Sequence, residues 1–231
     1  AVCMLAAAGA LFAALLYFRI IKLNDPGEDY PVKGVDVSSY QGDIDWSVLS
    51  ENLDFVFIKA TEGSKYCDGN FDYNYSEARK THLRVGAYHF FSFESSGATQ
   101  AENFISNVEP YEGMLPPAVD VELYGEYRSN PKSAEVIVPE LKTMLNKLED
   151  HYGVKPVIYA TGSAYNMYIA DEFSEYDLWI RDVYFKPDSD WTFWQHSDTG
   201  RLEGYNGEEK HIDLNVFNGS KEDFDRYFSK E

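Results

Sequence analysis

Leu115-Pro116-Pro117-Ala118-Val119-Asp120-Val121-Glu122 places two acids two residues apart inside an apolar, β-branched run. On a strand, residues i and i+2 point to the same face, roughly 6–7 Å apart along the chain. Asp120 and Glu122 therefore project together while Val119 and Val121 pack behind them. Val35-Asp36-Val37 and Ile212-Asp213-Leu214 repeat the design with one acid each. Three acid-bearing strands spread along the chain predict one pocket with four carboxylates. Paired carboxylates are the equipment of glycoside hydrolysis, where one acid protonates the leaving oxygen and another handles the developing sugar cation.

Working outward, short β-branched or aromatic runs alternate with longer polar segments. Strands are predicted over residues 33–38, 54–60, 84–91, 117–122, 155–160, 177–180, 192–196 and 211–217. Helices are predicted over 45–51, with Asp45 as a candidate N-cap, and over 73–81, 99–108, 133–151 and 163–170. The longest carries Val136, Leu141, Met144, Leu145 and Leu148 on a 3.6-residue period, with Gly153 and Pro156 as stop signals. Alternating strands and helices imply a parallel, barrel-like α/β sheet. The last three strands have only loops between them, so the expectation is an incomplete (β/α) barrel of TIM-barrel type. In such a barrel the active site lies at the C-terminal ends of the strands. Glu122 ends its strand, and Asp36 is followed at once by the loop-like Ser38-Ser39-Tyr40-Gln41-Gly42.

The chain has 231 residues, 44% of them hydrophobic, enough for a substantial single-domain core once the N-terminal stretch is set aside. A formal net charge of −19 argues against nucleic acid, whose phosphates need clustered Lys and Arg, and against an anionic lipid surface. A neutral polymer remains open as the ligand. The 18 tyrosines supply core and surface residues, and some are candidate sugar platforms at the pocket rim. Cys3 and Cys67 do not make a disulfide framework, and five His without metal-ligand spacing carry no zinc signature. No metal and no cofactor is therefore expected. Four carboxylates could instead hold a divalent cation through oxygen ligands, which keeps a metal-dependent hydrolase of another polymer open.

Gly34-Val35-Asp36-Val37-Ser38-Ser39-Tyr40-Gln41-Gly42, Phe55-Val56-Phe57-Ile58-Lys59-Ala60-Thr61-Glu62-Gly63, Gly86-Ala87-Tyr88-His89-Phe90-Phe91 and the stretch ending at Glu122 follow in order. Pro156-Val157-Ile158-Tyr159, Leu178-Trp179-Ile180, Phe193-Trp194-Gln195-His196 and Ile212-Asp213-Leu214-Asn215 complete the series. Each motif alone is weak; the ordered set resembles glycoside hydrolase family 25, the Chalaropsis-type muramidases or lysozymes, over residues 32–217. The resemblance implies an irregular, flattened (β/α)5β3 barrel. It implies hydrolysis of the β-1,4 bond between N-acetylmuramic acid and N-acetylglucosamine in peptidoglycan strands. Glu122 is then similar to the family's general acid, Asp120 to its second carboxylate, and Asp36 and Asp213 to the remaining pocket acids. Asp120 could attack the anomeric carbon directly or orient the substrate's 2-acetamido group as nucleophile, giving retention either way; both remain open here. Arg181-Asp182-Val183 departs from the family's usual sequence after Trp179-Ile180 and touches a rim contact, not the acids. A non-catalytic glycan-binding barrel is the further alternative, and the intact acid set argues against it.

Nearby Asp120 is a like charge that disfavours ionisation of Glu122, as an acid catalyst requires. Tyr40, Tyr88, Tyr159, Trp179 and Gln195 are candidate substrate contacts, with core packing as the competing role for Tyr88, Tyr159 and Gln195. Lys59 is read as an ion-pair partner within the barrel, and His89 and His196 as core histidines. Residues 1–18 are apolar and uncharged, just long enough to span a bilayer. The organisation expected is an apolar helix at 1–23 serving as transmembrane anchor or uncleaved signal sequence, a Pro/Gly-marked linker at 24–31, and the hydrolase barrel at 32–231. Without an initiating Met or a basic region, this opening reads as lacking residues upstream. Arg19 and Lys22 by themselves favour a cytoplasmic location for the barrel; a wall substrate calls for the opposite, extracytoplasmic placement, tethered or secreted. The barrel is expected to act as a monomer, and residues 218–231 read as a short polar tail.

Overall fold

The computed structural model describes residues 26–227. The expected apolar helix at 1–23 lies outside the described residues, as do 228–231. Among the described residues nine strands form one sheet: β1 (Lys33–Val37), β2 (Phe55–Glu62), β3 (Tyr66–Cys67), β4 (Arg84–Phe90), β5 (Ala118–Val121), β6 (Val157–Thr161), β7 (Leu178–Arg181), β8 (Phe193–Gly200) and β9 (Ile212–Phe217). β1 pairs with both β2 and β9, so eight strands close in the order β1-β2-β4-β5-β6-β7-β8-β9, and β3 is a two-residue appendage on β2. Seven barrel strands run parallel, and β9 is antiparallel to both neighbours.

Helices follow the first five barrel strands, as expected: α1 (Trp46–Leu49), α2 (Phe71–Ala78), α3 (Gly97–Asn107), α4 (Ala134–Tyr152) and α5 (Gly162–Ala164), which runs into a π-turn over Tyr165–Ile169. Asp45 caps α1 through its side chain, and Gly153 ends α4 in the left-handed conformation, φ 71°. The eight barrel strands lie within a few residues of their expected places. The C-terminal tail does not: Lys221–Tyr227 is a helix, α6, and buries Phe224. Its apolar residues are too few for the 3.6-residue pattern to show, and tertiary contact with the barrel floor supplies what periodicity does not.

Strand alternation divides the apolar residues into two sets. Val35, Val56, Ile58, Val85, Val119, Val121 and Ile158 face outward under the helices. Phe55, Phe57, Ala118, Val157, Trp179, Phe193 and Phe217 fill the lumen, with Phe224 of α6 closing it from below. Gly34 and Gly86 make room for these rings. A Cβ on Gly34 would meet the Phe55 ring at 2.5 Å, and one on Gly86 the Phe57 ring at 2.7 Å. Above this floor, at the C-terminal ends of the parallel strands, the inward positions turn polar.

Candidate active site

The four acids converge on that end of the lumen. Asp120 lies in β5, with Glu122 one residue beyond its end, and both alternate inward from Ala118. Asp36 of β1 stands directly opposite Asp213 of β9 in the antiparallel register. Asp36 and Asp120 are buried and Glu122 and Asp213 half-buried.

Asp36 is held from below. Its Oδ2 accepts from Gln195 Nε2 at 2.9 Å and Asn215 Nδ2 at 2.7 Å. Tyr159 Oη donates to Gln195 Oε1 at 3.0 Å, and Trp179 Nε1 donates to Asn215 Oδ1 at 2.8 Å. A buried chain of amide and ring donors thus fixes the orientation of one carboxylate. Of the expected contacts, Trp179 and Gln195 are 1% and 2% exposed and Tyr159 is buried, all in this layer beneath the acids. Tyr88 is half-buried in the lumen, and burial first, then the charges of Asp36, Asp120 and Asp213, push its hydroxyl up. Tyr40 is 65% exposed on the short helical turn Ser39–Gln41 that leaves β1.

That turn is built locally. Ser38 and Gln41 form a reciprocal capping box, and Ser39 N donates to Asp68 Oδ2 at 3.0 Å. Asp68, buried in the loop after β3, is a site-shaping acid that strand periodicity does not single out. Gln41 Nε2 donates to His211 O at 3.1 Å, joining the turn to the β8–β9 hairpin. Lys59 Nζ lies 2.7 Å from Glu62 Oε2 and 4.9 Å from the Phe90 ring centre, the ion-pair role expected of it. His89 is fully buried outside the lumen, within hydrogen-bond distance of Thr61 and Gln100.

Burial raises all four acids above the ordinary carboxylate range. Asp213 is pushed up to about 8, by burial first and the charge of Asp36 second, and its carboxyl lies against that of Asp36. Asp120 is pushed well up by burial and then by Glu122. Glu122 is raised by burial and pulled back by Arg181, Arg128 and Lys59. Asp120 and Glu122 are like charges on one strand face, and each disfavours ionisation of the other. Asp120 Oδ1 is buried without a hydrogen-bond partner among the described residues. An orphaned buried acceptor is costly unless something else is to meet it. Among the described residues no group of His, Cys, Asp or Glu is arranged to hold a metal ion.

A sequence model described as glycosyl hydrolases family 25 matches residues 35–205. The chain belongs to this family. Among curated family relatives, Lysozyme M1 of Streptomyces globisporus is 34% identical over 216 residues, covering 84% of this chain and 70% of its own. The protein YegX of Escherichia coli K12 is 38% identical over 208 residues, covering 86% and 74%. Among solved structures, a family 25 glycosyl hydrolase from Bacillus anthracis superposes with a TM-score of 0.81 at 53% identity, covering 85% of this chain and 93% of that one. Family 25 membership makes the protein a glycoside hydrolase, and the eight-stranded closed barrel is the fold of its family neighbours.

Proposed function

We propose that this protein is a peptidoglycan muramidase, hydrolysing the β-1,4 bond between N-acetylmuramic acid and N-acetylglucosamine with retention. The supporting observation is the acid pair on one strand face, with Glu122 at the mouth and the Asp120 acceptor buried and unmet. Lysozyme and muramidase names among the relatives agree with it.

Asp120 and Glu122 approach a bound sugar from the same side, which favours participation of the substrate's acetamido group over direct attack by Asp120. The two acids share a proton that burial keeps in the site. An acetamido N–H donating to Asp120 stabilises its ionised form and leaves the proton on Glu122. Glu122 then protonates the leaving oxygen as the glycosidic bond breaks. The acetamido oxygen closes on the anomeric carbon, and Asp120 holds the N–H as positive charge develops. Glu122, now ionised, takes a proton from the water that opens the intermediate. Asp36 and Asp213 orient that water and set the charge beside it, and the Tyr159–Gln195–Asp36 and Trp179–Asn215 bonds hold them in place. Tyr40 and Tyr88 contact the glycan. One chain carries all four acids, so a monomer suffices.

The apolar residues 1–18 tether the barrel on the wall side of a membrane, with 24–31 as linker. Among the described residues no helix is long and apolar enough to cross a membrane. Protease added to intact cells should remove the barrel, and protection would place it inside. For the activity, the chain should solubilise purified peptidoglycan and release reducing-end N-acetylmuramic acid, with a chelator making no difference. Reducing-end N-acetylglucosamine, or loss of activity with the chelator, overturns the reading.

A further inference from the structure

Arg181 ends β7, pairs in register with Thr161 and Gln195, and alternates inward from Trp179. Its guanidinium therefore stands in the mouth of the lumen, and its Nη2 lies 2.6 Å from Asp198 Oδ2 on β8, beside the strand's register shift. Both side chains are partly exposed, at 30% and 22%. The muramidase mechanism leaves this pair without a part.

We propose that Arg181, braced by Asp198, is a positioning residue whose fixed positive charge keeps part of the negative charge on the surrounding acids at neutral pH. The inference rests on the muramidase reading for its consequence and on the geometry for its cause. A mouth holding Asp36, Asp120, Glu122 and Asp213 with no cation would stay fully protonated, because burying several like charges is prohibitive. A general acid also has to become a base in the second half of a retaining reaction. A guanidinium keeps its charge at any working pH, whereas an ammonium in the same place could lose its own.

The groups facing Arg181 come from five strands or strand ends: Asp198 of β8, Asp36 of β1, Asp213 of β9, Glu122 after β5 and Tyr159 of β6. Its charge lowers Asp36, Asp213, Glu122 and Tyr159 alike. Lys59 acts on Asp120 and Glu122, and Arg128 acts on Glu122, so the other cations reach the β5 acids. Arg181 bridges these two halves of the cluster. Asp198 partly offsets Arg181, which makes it the element that sets how much charge the acids feel.

The test is the pH–rate profile on peptidoglycan of the full chain and three variants, together with carbon-detected NMR titration of labelled Asp and Glu carboxyls. Arg181→Ala should move both limbs of the profile, and the Glu122 and Asp213 titrations, upward by about one pH unit. It should lower kcat at neutral pH with little change in KM. Arg181→Lys should return most of the shift. Asp198→Asn should move the profile downward, because the guanidinium is then uncompensated. A superimposable Arg181→Ala profile overturns the proposal, as does a raised KM with unmoved limbs, which would mark a plain substrate contact. If Arg181→Ala fails to fold, absence of the downward shift in Asp198→Asn overturns it. If the wild-type chain leaves peptidoglycan intact, the muramidase reading falls, and unchanged carboxyl titrations in Arg181→Ala or Asp198→Asn still decide this one.

Discussion

The two ends of the barrel lumen are built on the same alternation and filled in opposite ways. At the floor, Phe55 and Phe193 lie 5.2 Å apart between ring centres, Phe217 and Phe224 5.1 Å, and Phe57 stacks on Trp179 at 4.6 Å. At the other end of the lumen stand Asp36 of β1, Asp120 and Glu122 of β5 and its end, and Asp213 of β9, raised by burial, one with a carboxylate oxygen unmet. The floor is where the lumen gains stability from apolar burial. The mouth holds groups that favour neither burial nor each other, which is the usual condition of a site awaiting a partner. A substitution at the floor should therefore cost folding and spare chemistry, and one at the mouth should do the reverse.

The largest expected effect is at the mouth. Glu122→Gln should lower turnover of peptidoglycan by roughly 10²–10⁴-fold, because the amide cannot donate a proton as an acid. Its melting temperature should hold or rise, since a half-buried acid is replaced by a neutral isostere. Near-normal activity with an unchanged melting curve would mean that another acid is the proton donor.

Next is the floor. Phe224→Ala should cost about 3–5 kcal/mol, the range for emptying a buried aromatic site. That corresponds to a fall of roughly 2–4 °C in melting temperature per kcal/mol. Well below the melting temperature, kcat per folded molecule should match the wild type. A large loss of kcat in a fully folded Phe224→Ala sample would show that floor and mouth are not separable.

The last effect is seen only as a dependence on pH. Asp213 has a folded pKa near 8 against an ordinary 3.8. The unfolded chain loses that proton first, so the stability this proton carries is complete below the unfolded value and is lost as pH rises through the folded one. Asp213→Asn keeps a donor for Asp36 and removes the titration. Its melting temperature should therefore gain on the wild type steadily as pH rises from about 5 to about 8. A constant offset across that range would show that Asp213 is not held protonated. His89, buried neutral with its pKa lowered to about 4, acts in the opposite sense, losing stability as pH falls from its ordinary 6.5 through that value.

Much of this contrast is legible in the sequence, for a physical reason. Strand alternation is a period of two, so Asp120 and Glu122 announce a shared face, and Val119 and Val121 announce what lies behind it. The order of eight short apolar runs is likewise enough for a closed barrel with five helices. What escapes has no period. The β3 strand is two residues long, too short for alternation to register. Helix α6 carries Phe224 and Tyr227 in an otherwise polar segment, and only the barrel floor explains why it folds there. Asp68 reaches the site from a loop, through a backbone hydrogen bond to Ser39. The site's vertical order is hidden too. Trp179, Gln195 and Tyr159 read as pocket residues, but whether a side chain lies beside a ligand or beneath an acid is decided by its level in the lumen. Arg181 is the instructive middle case, because its spacing from Trp179 does place it inward, while its pairing with Asp198 depends on the β8 register.

The reversed direction of β9 gives the site a freedom that a parallel eighth strand would lack. Asp213 is registered against β1, opposite Asp36, with Leu214 opposite Val35 and no break between them. The irregularities lie on the other side, where β8 slips against β9 between Gln195 and Ser197 and again between Ser197 and Gly200. A one-residue slip in a regular ladder would turn Asp213 out of the lumen. Here the slack sits in β8, so a change in the segment joining the two strands can be absorbed there without moving the acid. The rim between β8 and β9 is thus decoupled from the fourth carboxylate, which stays anchored to the first strand.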